Sequence, residues 1–243
     1  RQQQAELRQA VQMISQGKIG AGIQVLERSG AIREIKDAQA RGEQLVSDYL
    51  SLSADERRET LLLSGTNANR LALTKQIRTG MQAEGSLGKN VYTMQSLQRK
   101  DLTQVQARYV SHYAVDDVIV PIRDYRQQGL KKHQQYRVSA IDTASNLLTV
   151  ETSDRLIQID PALCQRKAVY TTLSVEIAAG DLMKWTKNNR VAGTRNGQQF
   201  TVTSITPAGI AQIVNDQGDA RTVDLSTGAQ HVDYAWVSTT YSS

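Results

Sequence analysis

One stretch of this chain occurs twice, and that duplication limits the possible folds more than any other feature. When the sequence is shifted by 64 positions, residues 117–160 align with residues 181–224 without a gap. The identical pairs include Asp117 with Asp181, Gly129 with Gly193, Val138 with Val202, Ile141 with Ile205, Ala144 with Ala208, Val150 with Val214, and Asp160 with Asp224. These matches fall where strands and turns would need them. The pattern therefore predicts two tandem copies of one small β unit.

The region around this duplication has the alternation typical of strands. From residue 115 to residue 237 apolar and polar residues alternate with a period of two, and Gly, Asn and Asp separate the segments. Each copy would supply four or five short strands, which is the size of a small SH3-like barrel. Turns are predicted at Ser145–Asn146, Ala208–Gly209 and Asp216–Asp219, and further strands at Val91–Gln95 and Gln104–Val110.

The N-terminal part of the chain is predicted to be mainly helical. Apolar residues between Gln2 and about Gly30 recur at helical spacing with a break around Gly17, which predicts two short helices. Ala31–Ile35 is interpreted as a brief strand, and a third helix is predicted to end near Ser51.

A strand, a polar turn and a helix follow. Ser53 and Glu56 have the spacing of a capping box, which predicts a short helix. Thr60–Ser64 is a continuous apolar run, as expected of a strand buried on both faces. Thr66–Arg70 then opens a long helix that ends before Gly85. In this α/β arrangement, ligands meet the carboxyl end of the strand.

Composition narrows the possible partners without naming one. The chain has 29 Lys and Arg against 24 Asp and Glu, a net charge of +5 and a pI near 9.3, which permits an anionic partner. Cys164 is the single cysteine; it is predicted to be a small buried hydrophobe and fits a reducing compartment. No apolar run approaches the roughly 18 residues of a membrane span, so no membrane insertion is expected.

The sequence contains no recognisable catalytic constellation. Gly85–Asn90 superficially suggests a phosphate loop, but it lacks the first glycine of that motif and has Asn90 where a hydroxyl should bind Mg²⁺. His112, His133 and His231 are scattered singly, without metal-ligand spacing. We therefore expect this chain to be no enzyme by itself and to hold no cofactor.

A basic loop in the second copy is a candidate for binding single-stranded DNA. Its candidate contacts are Lys184, Trp185, Lys187, Asn189, Arg190, Arg195 and Asn196. Cations hold the backbone of a strand, and aromatic rings stack its bases at roughly 1–3 kcal/mol per base. Alternatively, Trp185 is a core residue and the charges form a solvated face. Lys131, Lys132 and His133 form a basic cluster at the equivalent place in the first copy.

The start of the long helix is a second candidate. Thr66, Asn67 and Arg70 stand where free backbone N–H groups can bind a phosphate. The alternative is that Asn67 is a plain N-cap.

Several of these motifs resemble the RecD-like superfamily 1 helicases, and more closely the conjugative relaxase-helicases of F-type plasmids. The resemblance covers most of the chain in order and is most specific towards the C-terminus. It is carried by Thr66–Arg70, Leu73–Arg78, Ala179–Asn188, Asn196–Gly197, His231–Ala235 and Ser238–Ser243.

The resemblance implies an α+β fold in which two barrels interrupt a RecA-like domain. Residues 1–105 would be the helix-rich α/β part of that domain, residues 106–172 the first SH3-like β-barrel (2B-like) and residues 173–230 the second (2B). Residues 231–243 would return to the RecA-like domain as a strand. The chain would thus be a piece of a larger protein.

The resemblance also implies a function. The expected role is a non-catalytic internal translocation signal for type IV secretion in conjugation, within a protein that holds single-stranded DNA, with the first, vestigial helicase-like region favoured as its source. The partners would be the secretion machinery or its coupling protein, and the DNA strand. The alternatives are a single-strand clamp that supports helicase activity, or a structural scaffold without a ligand.

The whole protein would be a DNA relaxase and ATP-dependent helicase. It would use ATP with Mg²⁺ for the helicase and a divalent metal for the relaxase. It would act in the donor cytoplasm and then pass to the recipient. The ATPase motifs of the family cannot be carried over, because their residues are not in this chain.

Overall fold

The computed structural model describes residues 5–152, 154–190 and 192–240. Residues 2–4 of the first predicted helix, Ser153 of the first copy, Val191 of the basic loop and Tyr241–Ser243 of the last motif lie outside the described residues. The chain divides into two compact units, residues 1–59 and 60–243. Within the described part of the chain, no helix is both long and apolar enough to cross a membrane.

The first unit consists of helices among its described residues. They are α1 (Ala5–Ser15), α2 (Ile19–Arg28), α3 (Ala38–Leu50) and α4 (Ala54–Glu59). Gly17, at φ +80°, separates the first two as predicted. The predicted capping box is confirmed, because Glu56 accepts from the Ser53 backbone at 2.9 Å and Ser53 Oγ accepts from the Glu56 backbone at 3.3 Å. The predicted strand at Ala31–Ile35 is wrong: no described strand lies in this unit to pair with it.

The second unit contains one long helix, α5 (Asn67–Ala83), and the strands. The strands are β1 (Leu62–Ser64), β2 (Val91–Arg99), β3 (Val118–Pro121), β4 (Tyr136–Asp142), β5 (Leu147–Glu151), β6 (Leu156–Ile159), β7 (Lys167–Ala178), β8 (Leu182–Trp185), β9 (Gln199–Ile205), β10 (Ile210–Asn215), β11 (Ala220–Asp224), β12 (Val232–Tyr234) and β13 (Val237–Thr239). The protein is therefore of the mixed α+β class.

The strand before α5 pairs with the last described strand. β1 and β13 run parallel, Leu62 opposite Val237, and α5 packs against both strands. Thr66 caps α5 by accepting from the Asn69 backbone N–H. The predicted strand and long helix are confirmed, but burial of the strand on both faces is wrong: Leu63 is 54% exposed, because the two-stranded sheet has one face away from α5.

The duplication is present in the structure strand for strand. β3 to β6 match β8 to β11 at the 64-residue shift, with β3 at residues 118–121 and β8 at residues 182–185. Both copies contain a β-bulge at the same place, where Ser139 and Thr203 have no opposite residue. The predicted hairpin turns at Ser145–Asn146 and Ala208–Gly209 are confirmed, with a positive φ of 54° at Asn146 and of 83° at Gly209.

The two copies belong to open sheets. The six-stranded sheet has the order β2-β7-β3-β4-β5-β6, and the five-stranded sheet has the order β11-β10-β9-β8-β12. Among the described residues, neither sheet closes on itself. β7 serves both cores, because Val169 packs in the first copy whereas Val175 and Ile177 pack in the second. Cys164 is fully buried in the first core, as predicted.

The segment Gln104–Val110 was predicted as a strand, and this is wrong. Thr103 and Gln106 bond reciprocally: the Gln106 side chain accepts from the Thr103 backbone at 2.9 Å, and Thr103 Oγ1 accepts from the Gln106 backbone at 3.2 Å. This is a capping box, and it starts a 3-10 turn at Gln106–Arg108.

Candidate nucleic-acid groove

α5 presents two arginines on its buried face. Arg70 and Arg78 are eight residues apart, so both lie on the side of the helix that also carries Ile77. Arg78 donates from Nε and Nη2 to the two carboxylate oxygens of Asp181, at 2.8 and 2.9 Å. Burial alone would lower the pKa of Arg78, but the hydrogen bonds and charge of Asp181 raise it above its ordinary value. This ion pair fixes α5 to the second copy.

Arg70 is buried but incompletely paired. Its Nε donates to Asn67 Oδ1 at 2.7 Å, and its Nη2 lies 3.0 Å from Asp233 Oδ2. Its Nη1 is buried and has no hydrogen-bond partner among the described residues. A buried guanidinium normally uses all its donors, so Nη1 is an unsatisfied donor at this place.

Arg70 lines a groove of about 780 Å³. The groove lies where the first turn of α5 and the last two strands meet the second copy and the ends of β2 and β7. Its charged lining residues are Arg70, Arg99, Lys184, Lys187 and Asp233, and its polar or aromatic ones include Asn67, Gln98, Tyr170, Trp185, Thr186, Asn188, Asn196, Gln199 and Ser238. Four cations thus face one carboxylate, which makes the groove electropositive.

The two lysines of the groove are partly desolvated. Burial lowers the pKa of Lys184, and the charge of Asp233 opposes that shift. Burial also lowers the pKa of Lys187, whose Nζ lies 3.4 Å from His231 Nε2. No carboxylate pairs with Lys187 within the described part of the chain. Burial and the neighbouring Lys187 lower the pKa of His231 to about 4, so the imidazole is neutral at pH 7.

The aromatic rings of the groove are already in contact with other groups. The Trp185 ring packs on Phe200 of the second core at 4.9 Å, and the Arg221 guanidinium lies 5.3 Å from its centroid. The Tyr170 ring contacts the His231 ring at 5.0 Å and lies below Lys187 Nζ at 5.9 Å. Trp185 is thus half-buried at the margin of the core, and neither ring is a free stacking platform.

The groove unites both sequence candidates. It brings together Asn67, Arg70, Lys184, Trp185, Lys187 and Asn196, whereas Thr66, Asn189, Arg190 and Arg195 are outside its lining. Thr66, not Asn67, is the N-cap of α5. Sequence reasoning missed Arg99 and Asp233. Arg99 ends the strand β2, beyond the predicted strand Val91–Gln95. Asp233 was named only within the motif His231–Ala235, with no role in a site.

No protein-family model matches the sequence. Two curated relatives do: the "Multifunctional conjugation protein TraI" of Escherichia coli and that of Escherichia coli strain K12. They are 24% identical over 204 and 205 residues respectively, 82% of this chain in each case. The resemblance to TraI is confirmed. The chain spans 11% of the length of these TraI relatives.

This TraI-like chain has no phosphate loop at Gly85–Asn90. The backbone N–H groups of Ser86 and Leu87 both donate to Met81 O, and that of Gly88 donates to Ala179 O. Three consecutive donors that a phosphate would need are therefore used internally. Among the described residues, no group of three or more His, Cys, Asp or Glu side chains is placed to hold a metal ion.

A second cleft, of about 970 Å³, lies beside β2 and the first copy. Its one lining cation, Arg137, is paired with both Asp116, at 2.8 Å, and Glu151. With three carboxylates in its lining, Asp116, Asp117 and Glu151, the cleft is acidic. The smaller groove is therefore the better candidate for an anionic ligand.

Proposed function

We propose that this chain is a non-catalytic segment of a TraI-type conjugation protein, and that its groove holds single-stranded DNA by the phosphodiester backbone. The observation that carries this proposal is the convergence of Arg70, Lys184 and Lys187 on one groove with a single carboxylate. Removing a cation from water is costly unless an opposite charge compensates it. A phosphate in the groove would supply that charge.

The same groove favours the backbone over the bases. Trp185 is engaged by Phe200 and Arg221, and Tyr170 by His231 and Lys187. A base could stack only by displacing one of these groups. We therefore expect binding that is insensitive to base identity, as the single-strand clamp function requires.

The fold is compatible with the larger arrangement that the resemblance implies. The parallel pairing of β13 (Val237–Thr239) with β1 supports the return of the chain, within residues 231–243, to a RecA-like domain. The two matched copies support residues 106–172 and 173–230 as the 2B-like and 2B subdomains. We propose that the relaxase and helicase activities, with ATP, Mg²⁺ and the divalent metal of the relaxase, belong to other parts of the longer protein.

The DNA proposal is tested by fluorescence anisotropy with a labelled oligothymidine. Replacing both Lys184 and Lys187 by Ala should weaken binding several-fold. It should also reduce the slope of log K against log salt by about 1.4, because each phosphate contact on a single strand contributes about 0.7. The matched control replaces Lys75 and Lys89, two exposed lysines outside the groove, by Ala. Equal weakening by both pairs would reject a specific role for the groove.

A second candidate function is the internal translocation signal, recognised by the type IV secretion machinery or its coupling protein before transfer from the donor cytoplasm to the recipient. Its support is an exposed loop surface beside the groove, which carries Arg190 and Arg195 and is not part of the groove lining. This surface is available to a protein partner while a strand occupies the groove.

The signal is tested in the full-length protein by replacing Arg190 and Arg195 with Glu. Deleting residues 181–224 would be a poor test, because it removes Asp181 and leaves Arg78 buried without its partner. We expect protein transfer into recipient cells to fall while DNA nicking in the donor is unchanged. Undiminished transfer would exclude this loop surface from the signal.

A further inference from the structure

We infer that the first copy carries a second site for a phosphodiester strand, separate from the groove. We call this site the first-copy basic surface. The inference depends on the proposed function only in taking the same chemical class of ligand, a phosphodiester strand. The residues of the surface are Arg123, Arg126, Lys131, Lys132, Arg155 and Arg166, all of them exposed.

The duplication places cations at the same three loop positions in both copies. The matched pairs are Arg123 with Lys187, Arg126 with Arg190, and Lys131 with Arg195. Most other positions of this loop differ between the copies. Positive charge therefore recurs within a loop that has otherwise diverged, although in the second copy Lys187 is the one of these three cations that lines the groove.

The same pair of backbone hydrogen bonds closes the loop in both copies. In the first copy, Tyr125 and Leu130 exchange two backbone hydrogen bonds, of 2.8 and 3.1 Å. In the second copy, Asn189 and Thr194 exchange two of 2.9 Å, at positions 64 residues later. The matched cations therefore leave equivalent points of the chain, and Arg126 and Lys131 flank the bridge in the first copy.

Specific contacts bring the remaining cations of the surface to this loop. The backbone N–H of Ile122 donates to Arg166 O at 2.9 Å, which places Arg166 next to Arg123. The backbone N–H of Lys132 donates to Asp124 Oδ1 at 2.7 Å, so Lys132 lies near the same end of the loop. Arg155 lies beside the left-handed Gly129, with its Nη2 3.7 Å from the position that a Cβ of Gly129 would take.

The charges of this surface are not compensated. Asp124 is the one carboxylate among residues 122–134, and it already accepts from a backbone N–H. Among the described residues, no ion pair joins any of the six cations to a carboxylate; Arg123 instead lies 4.9 Å from the centroid of the Tyr125 ring. Like charges held together repel one another, and an anionic polymer relieves that repulsion while releasing its own counterions.

The surface is suited to the backbone of a strand more than to its bases. Tyr125 is 9% exposed, so the aromatic ring of the loop is not available for stacking. The side chains available for contact are long cations, which bind phosphates at many positions without reading sequence. Ile122 and Leu163 are exposed nearby, so an anionic membrane is the competing ligand that the experiment has to separate.

The test is the stoichiometry of a short oligothymidine of about eight nucleotides, a length within the range of one small binding module. The 243-residue chain is titrated at low salt by isothermal calorimetry. We expect two oligonucleotides per chain. Replacing Arg126, Lys131 and Lys132 by Ala should leave one, bound with the affinity of the groove. Replacing Lys184 and Lys187 by Ala should leave one bound at the first-copy basic surface.

The two proposals fail separately in this design. If the Arg126, Lys131 and Lys132 variant keeps the native stoichiometry, or if the native chain binds one oligonucleotide, the inference is overturned even when the groove variant loses its site. If the groove variant alone keeps the native stoichiometry, the proposed function fails instead. The control variant at Lys75 and Lys89 should bind two.

Vesicles of phosphatidylcholine and phosphatidylserine distinguish the membrane from the strand. Binding of such vesicles that is lost in the Arg126, Lys131 and Lys132 variant, with unchanged oligonucleotide stoichiometry, would replace the inference by a membrane surface. All six residues of the surface are exposed, so circular dichroism should show the native fold in the Arg126, Lys131 and Lys132 variant.

Discussion

The two copies of the repeat share a buried aspartate but anchor it differently. Asp117 and Asp181 occupy matched positions, and each accepts from the backbone N–H three residues before it. Asp117 is 2% exposed and is paired with Lys100 at 2.7 Å, a lysine that is itself 24% exposed. Asp181 is fully buried and accepts hydrogen bonds from both Nε and Nη2 of Arg78 in α5. The duplicated element is thus one carboxylate with two different partners, and only the second partner joins the copy to a helix.

The largest effect that separates the copies should come from removing these partners. Arg78→Met should lower the free energy of unfolding by about 3–5 kcal/mol, because it leaves Asp181 buried without its charge partner. Lys100→Met should lower it by about 1–2 kcal/mol, because Asp117 still accepts from Ala114 N–H and Thr171 Oγ1 and because the lost lysine is itself partly exposed. Urea denaturation followed by circular dichroism measures both. Equal losses would mean that the two anchors are equivalent.

A second contrast concerns two left-handed glycines within the second copy. Gly209→Ala should destabilise the protein by about 3 kcal/mol, because a Cβ there would lie 2.6 Å from Tyr92 Cζ at a φ of +83°. Gly193→Ala has a similar φ of +65° but meets nothing within 4 Å, so it should lose about 1–2 kcal/mol. Thermal unfolding of the two variants checks the difference. A loss at Gly193 as large as that at Gly209 would show that backbone strain, not the contact with Tyr92, sets the effect.

The duplication could be predicted from sequence because it leaves local signals. Glycines at turns and aliphatic residues on alternate positions recur in both copies, and the hairpin turns at Asn146 and Gly209 followed from them. Asp117 and Asp181 were visible as an identical pair. Their burial could not be predicted, because an aspartate in a polar turn is normally exposed. Their partners, Lys100 and Arg78, come from other elements and leave no signal in the sequence near the aspartates.

The groove shows the same limit. Its two halves were predicted separately, at the start of α5 and in the loop of the second copy. Their meeting depends on the parallel pairing of β1 with β13 and on Arg70 reaching Asp233, contacts between residues far apart in sequence. The errors at Ala31–Ile35 and Gln104–Val110 have a related cause. A short apolar run becomes a strand only if a neighbouring strand pairs with it, and in the second case a Thr103–Gln106 capping box formed a turn instead.

The pH dependence of stability should also distinguish the two copies, because Lys187 of the second copy lies beside the buried His231. In the folded protein burial and Lys187 lower the pKa of His231 from 6.5 to about 4, so between these values the unfolded chain takes up a proton that the folded chain does not. Stability from this group is complete above pH 6.5 and is lost as the pH falls towards 4. The melting temperature should therefore decline over this interval, and His231→Gln should flatten the decline.

The smallest expected effect concerns the carboxylates beside the two basic sites. Asp233 is the one negative charge in the groove lining, and it holds Arg70 Nη2 at 3.0 Å. Asp233→Asn removes that charge while keeping an oxygen that can accept from Arg70. It should therefore tighten oligonucleotide binding in the groove by about threefold to tenfold, or about 0.7–1.4 kcal/mol. Asp124→Asn in the first copy is the matched control: it should leave groove affinity unchanged and strengthen only binding at the first-copy basic surface. Calorimetric titration of each variant in a background with Arg126, Lys131 and Lys132 replaced by Ala isolates the groove, and titration of Asp124→Asn in the native background measures the first-copy basic surface. Weaker binding by a folded Asp233→Asn variant would mean that Asp233 orients Arg70 for the phosphate, and that its geometry outweighs its charge.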